Sequence, residues 1–140
     1  MVSEDVIARR ILTLNESLRE LERPEAGQAD ALVNDAILRA AVERWLQVAV
    51  EACMDIAYHV VASEGWTPPE SGRAAFASLA THALIPHDLA KRLGGAAALR
   101  NVLVHDYVSV DLDRLAQIVR EDLGDLREFA RISSGWLQAT

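Results

Sequence analysis

At 140 residues, with 51% hydrophobic and only 5% aromatic side chains, the chain can bury a mostly aliphatic core. A net charge of −7 argues against a general nucleic-acid binder, because phosphate neutralisation supplies most non-specific affinity, so any nucleic-acid contact has to be local. No apolar run approaches the roughly 18 residues that span a bilayer, and the acidic start Met1-Val2-Ser3-Glu4-Asp5 lacks the basic-then-apolar order of a signal peptide. A cytoplasmic protein with no membrane partner is expected.

Seven glycines, four prolines and no sustained alternation of β-branched with polar residues point to helices. Val6 or Ile7, Ile11, Leu14, Leu18 and Leu21 recur at intervals of three and four after Ser3, a candidate N-cap, and predict a first helix that stops before Pro24. A polar joint, Glu25 to Asp30, follows. The second and longest helix is expected from near Ala31 to about Ala62, with Val42, Trp45, Leu46, Ala49, Val50, Cys53, Ile56, Ala57 and Val60 as its apolar stripe. Gly65 and Pro68-Pro69 end it. A short helix from about Glu70 to Ala80 leads, through a turn at Ile85-Pro86, into a fourth opening near His87-Asp88. Asp111 is a plausible cap for a last helix whose inner face carries Leu112, Leu115, Ile118, Val119, Leu123, Leu126, Phe129 and Ile132. With no internal repeat or low-complexity segment, the expectation is one all-α domain over 1–140, an up-and-down bundle of four main helices with one short helix inserted.

The chemistry concentrates in Arg100-Asn101-Val102-Leu103-Val104-His105-Asp106-Tyr107. A guanidinium is always charged and matches phosphate oxygens in a planar fork, and an imidazole with an unperturbed pKa of about 6.5 both takes and gives protons near neutrality. RNA carries its own nucleophile, the 2′-hydroxyl. Breaking its backbone therefore needs no metal or covalent enzyme intermediate, only proton transfer and stabilisation of charge growing on phosphorus. Read from the residues alone, a surface ion pair for Arg100 and a helix-end cap for His105 explain the pattern about as well. On an ideal helix the two positions lie roughly 140° apart, so either the helix loosens before His105 or the long Arg side chain wraps toward it.

An Arg followed after four residues by His, and after two more by Tyr, resembles the signature of HepT-like toxins in the HEPN superfamily of ribonucleases. The similarity extends through Glu43-Arg44 to Ala57, Pro68-Pro69-Glu70-Ser71, Leu89-Ala90 through Tyr107, and Val110-Asp111 to Arg131, in the expected order, over about Leu32 to Ile132. The resemblance implies a helical, metal-independent endoribonuclease toxin of a type VII-like toxin–antitoxin pair, acting on RNA, with tRNA the implied substrate, and forming a homodimer. It implies Arg100 and His105 as the catalytic pair. It also implies Tyr107 as the residue to which a partner minimal nucleotidyltransferase, the antitoxin, attaches AMP.

Around that core the residues leave choices open. Asn101 could hydrogen-bond phosphate or orient His105, or be an ordinary surface Asn. Arg44, Gln47, Glu51, Asp55 and Tyr58 form a polar stripe opposite the apolar one of the second helix. Glu51 and Asp55, like charges one turn apart, need nearby cations, so the stripe is expected to face the motif helix, with Asp55 or Glu51 orienting Arg100 or Arg44. His59, His82 and His87 show no ligand spacing with Cys or carboxylates, so no metal and no cofactor is expected. Cys53, the single cysteine, reads as a buried reduced thiol. Gly94-Gly95 reads as a point of close packing or a kink. Two other functions fit less of the sequence: a non-catalytic helical subunit that binds a nucleotide or shapes a nucleotidyltransferase complex, and a generic dimerisation bundle. Neither has a physical need for Arg100, His105 and Tyr107 together.

Overall fold

The computed structural model describes residues 4–105 and 111–138, without the side chains of 100–105 and 138. The described residues form helices and no strands. Helix α1, Glu4–Leu21, has Glu4 and Asp5 in its first turn and Arg19 in its last, as the helix dipole favours, and buries Ile7, Ile11, Leu14, Leu18 and Leu21. A 3₁₀ turn, Pro24–Gly27, follows, and it is more than the expected polar joint, because Ala26 and Gly27 are buried. Arg120 donates from Nη1 to the Gly27 carbonyl at 2.7 Å. A Cβ on Gly27 would lie 2.7 Å from Arg120 Cγ, so glycine lets the two segments approach.

The expected second helix is two. Helix α2, Ala29–Asn34, ends at Asp35, whose backbone is extended and whose carboxylate accepts from Ile37 N at 3.1 Å and Leu38 N at 3.0 Å. Satisfying the first amides of a new helix is what a short carboxylate does better than continuing an old one. Helix α3, Ala36–Ser63, is therefore the long element, 28 residues or about 42 Å. It buries the expected stripe, with Trp45 only partly covered. It closes in a Schellman motif: Gly65 has φ 69°, its N–H donates to Ala62 O at 3.2 Å, and Trp66 N–H donates to Val61 O at 3.1 Å.

Helix α4, Gly72–Thr81, starts two residues later than expected because Ser71 is the cap, accepting from Ala74 N at 3.1 Å. Its C-terminal turn repeats the Schellman pattern with Ala83, φ 60°, in the position glycine usually takes; Ala83 N donates to Ala80 O at 3.0 Å and Leu84 N to Leu79 O at 2.9 Å. Helix α5 is His87–His105. Asp111 is the expected cap of helix α6, Leu112–Glu121, accepting from Asp113 N and Arg114 N. The anticipated single last helix breaks at Asp122, and helix α7 runs Leu123–Gln138. Asp122 and Gly124, both weak helix formers, stand at that break.

Helix α3 packs on α1, α4, α5 and α7, while α6 lies over α2 and the 3₁₀ turn. Phe76 on α4 meets Phe129 on α7 edge to face at 5.7 Å, and Phe129 meets Trp136 at 6.1 Å. The remaining core is aliphatic, as the composition requires. Cys53 is fully buried, and burial pushes its thiol pKa up. Among the described residues no helix is long and apolar enough to cross a membrane.

Two caps give stability predictions. Asp35→Ala should cost about 1 kcal/mol, since it leaves two amides at the start of α3 without their acceptor. Ala83→Gly should instead stabilise by about 0.5–1 kcal/mol by relieving a left-handed backbone that an exposed alanine occupies without packing gain. Urea unfolding followed by circular dichroism measures both; a neutral or destabilising Ala83→Gly would show that the turn carries no strain.

Candidate active site

Helix α5 carries most of the motif. Pro86 precedes it, and Leu89, Ala90, Leu93, Gly94 and Ala97 form its buried side. Of the two readings of Gly94-Gly95, close packing is the correct one at the first residue. The helix is unbroken there, and a Cβ on Gly94 would come within 3.0 Å of Arg73 Cγ on α4, whereas Gly95 faces open space. Two turns further on, the backbone stays helical through His105, so no loosening separates the Arg100 and His105 positions. Helical register then sets Arg100 between Leu93 and Ala96, and His105 with Gly94 and Ala98, roughly 140° around the axis. At that separation only the length of the Arg side chain could bring the two groups together. The side chains of Arg100, Asn101 and His105, and all of Asp106 and Tyr107, lie outside the described residues.

The polar stripe of α3 is half-buried along its length, apart from the exposed Arg44. Asp55 Oδ2 meets Arg10 Nε of α1 at 3.5 Å. Arg10, Thr13, Arg44, Glu51 and Asp55 line a recess of about 180 Å³ between α1 and α3. The cations that the paired carboxylates require are therefore supplied in part from α1. Arg10 is a partner the sequence reading missed. Its signal was faint, a second arginine after Arg9 on the exposed side of α1, some 45 residues from Asp55 and with no spacing rule to join them. The orientation of Arg100 by Glu51 or Asp55 involves a side chain outside the described residues.

The three other histidines are spread over α3, the end of α4 and the start of α5. His82 follows α4, its Nδ1–H donates to Ser78 O at 2.9 Å, and its ring stacks on Trp66 at 3.5 Å with the planes 5° apart. His59 Nε2 lies 3.4 Å from Ser63 Oγ, and His87 is exposed at the start of α5. Among the described residues no group of three His, Cys, Asp or Glu side chains could hold a metal ion.

The family model described as Ribonuclease HepT-like matches residues 14–132. The mRNA nuclease HepT of Shewanella oneidensis is 32% identical over 125 residues, which cover 89% of this chain and 93% of the relative. The tRNA nuclease HepT of Aphanizomenon flos-aquae is 26% identical over 106 residues, 76% of this chain and 72% of the relative. A solved structure of the tri-AMPylated Shewanella oneidensis HEPN toxin in complex with MNT antitoxin has a TM-score of 0.85 and 30% identity, covering 95% of this chain and 99% of its own. With a match spanning the helices from mid-α1 to the end of the buried face of α7, the chain belongs to the HepT-like ribonuclease family.

Proposed function

We propose that this ribonuclease is a toxin that cuts RNA by internal attack of the 2′-hydroxyl, and that a nucleotidyltransferase antitoxin silences it by adenylating Tyr107. The observation that carries the reading is the sequence Arg100 to Tyr107, whose first six residues close α5, inside the span of the family match. In the proposed reaction a base removes the 2′-hydroxyl proton, the P–O2′ bond forms, the P–O5′ bond breaks, and the departing 5′-oxygen takes a proton. Arg100 neutralises the charge that gathers on the phosphorane, and His105 moves one of the two protons. One motif histidine per chain leaves the second transfer to another group. A symmetric homodimer, with two copies of the motif along one cleft, supplies it. Asn101 holds a phosphate oxygen or steadies His105, and Glu51 and Asp55 form the acidic side of the polar seam that positions the arginines.

Control uses the same place. The Tyr107 hydroxyl attacks the α-phosphorus of ATP, pyrophosphate leaves, and an adenylate remains beside the guanidinium that has to receive RNA phosphate. The adenylate blocks by bulk and by competing negative charge, with no refolding. The AMPylated, antitoxin-bound toxin of Shewanella oneidensis supports this part of the reading. The relatives act on mRNA in one case and tRNA in the other, so the substrate here is RNA, and tRNA is the first candidate to test.

Incubation of purified protein with total tRNA in EDTA should yield 2′,3′-cyclic phosphate ends. Ends with a 5′-phosphate, or no cleavage until a divalent metal is added, would overturn the mechanism. His105→Ala should abolish cleavage while leaving helicity unchanged, since an end-of-helix His contributes at most about 2 kcal/mol to stability. Arg100→Lys should lose nearly as much activity, because the ammonium keeps the charge and loses the fork. With antitoxin and ATP, intact mass spectrometry should show adenylate on the wild type with activity falling in proportion. Tyr107→Phe should take no adenylate and stay active; silencing of that variant would refute the control mechanism and leave the nuclease assignment standing.

A further inference from the structure

A groove of about 290 Å³ runs along α5 beside the motif, between α3, α6 and α7. Its floor is apolar, with Val50 from α3, Leu99 from α5, Ile118 from α6 and Leu126 from α7. Its rim is charged. Arg92 and Arg114 stand on it with Asp122 and Asp125, and Arg92 Nε donates to Asp125 Oδ1 at 2.8 Å. That single bond leaves the terminal amino groups of Arg92 and the second oxygen of Asp125 for another partner. Gly95 forms part of the wall, and nothing lies within 4 Å of where its Cβ would be.

We infer that this groove is a subsite for one unpaired base of the RNA, preferring adenine and cytosine, through their exocyclic amines, over uracil. The inference rests on the reading that α5 handles RNA, and three observations carry it. The first is continuity: Arg92, Ala96 and Arg100 are four residues apart on one ridge of α5, so the groove leads toward the position proposed to hold the scissile phosphate. The second is the donor and acceptor set. A flat ring with polar edges suits a hydrophobic floor flanked by planar guanidinium groups, on which bases stack, and carboxylates accept hydrogen bonds from the amino groups of cytosine and adenine. Uracil has a carbonyl at the corresponding edge and meets a carboxylate unfavourably. The third is size. A protein partner needs about 800 Å² of buried surface on each side, whereas this cavity sits at the small end of the roughly 300–1,000 Å³ range of small-ligand sites.

The test separates binding from cleavage. Fluorescence anisotropy with full-length protein and 2′-O-methyl hexamers of A, C and U measures binding without a nucleophile present. A and C should bind about fivefold tighter than U, the worth of one net hydrogen bond. Gly95→Leu fills the groove from a position with room for it and improves helix propensity, so it should fold normally and bring the three affinities together. Asp122→Asn adds a donor where only an acceptor stood and should move the preference toward U. Equal affinities in the wild type, or a preference that survives both substitutions, would overturn the inference. So would a uniform loss of binding in Gly95→Leu accompanied by a changed mass in light scattering, since the groove would then be a protein contact. Cleavage of tRNA measured on the same preparations keeps the two readings apart: intact cleavage without base preference removes only the subsite, and base preference without cleavage removes only the nuclease mechanism.

Discussion

Burial of the apolar stripe of α3 is the constraint to which the rest of the molecule answers. Val42, Leu46, Ala49, Val50, Cys53, Ile56, Ala57 and Val60 follow one another along that helix with almost no exposure, and α1, α4, α5 and α7 all lie against it. Each larger aliphatic side chain so buried contributes roughly 1.5–3 kcal/mol. The interhelical ion pairs Arg10–Asp55, Arg92–Asp125 and Arg127–Glu22 are at least partly solvated at both ends and contribute roughly 0–1 kcal/mol each. Packing decides where the helices go. The ion pairs then adjust their register and keep an acidic chain from repelling itself at the seams.

Most of this was legible because helical burial writes a period into the sequence. The stripes of α1 and α3, the cap at Asp111, and the stop at Gly65 each depend on residues within four or five positions of one another. The breaks at Asp35 and Asp122 were not anticipated, because the apolar spacing on their two sides is close enough to one continuous period to hide a change of axis. An aspartate can sit exposed on a helix or cap a new one, and only the packing of α2 against α6, far away in sequence, distinguishes the two. The buried turn Ala26-Gly27 was hidden for the same reason: its closeness to Arg120 joins residues 93 apart.

The site divides along the same line. Arg100, Asn101, His105 and Tyr107 could be proposed because one short string carries them, and the unbroken backbone of α5 through His105 removed one of the two geometries the string allowed. Arg10 could not be named, since its relation to Asp55 exists only after α1 has folded onto α3. The groove on α5 was equally invisible. Gly95 looks like a weak point in a helix, and Ala96 like an ordinary helix former, until α6 and α7 turn the space beside them into a wall and a floor.

The burial of Cys53 has a kinetic consequence. The thiol lies at the middle of α3, fully covered, in surroundings that oppose its ionisation, so neither oxidants nor alkylating reagents meet a thiolate while the bundle is closed. Reagent reaches the sulfur only when the helices packed on α3 part from it or the whole core opens. The labelling rate at low reagent thus reports the free energy of that opening rather than the chemistry of the thiol. As the sole cysteine, it gives the chain a built-in gauge of how often its central helix is uncovered. That frequency can be read in the presence of RNA or antitoxin without attaching any external probe.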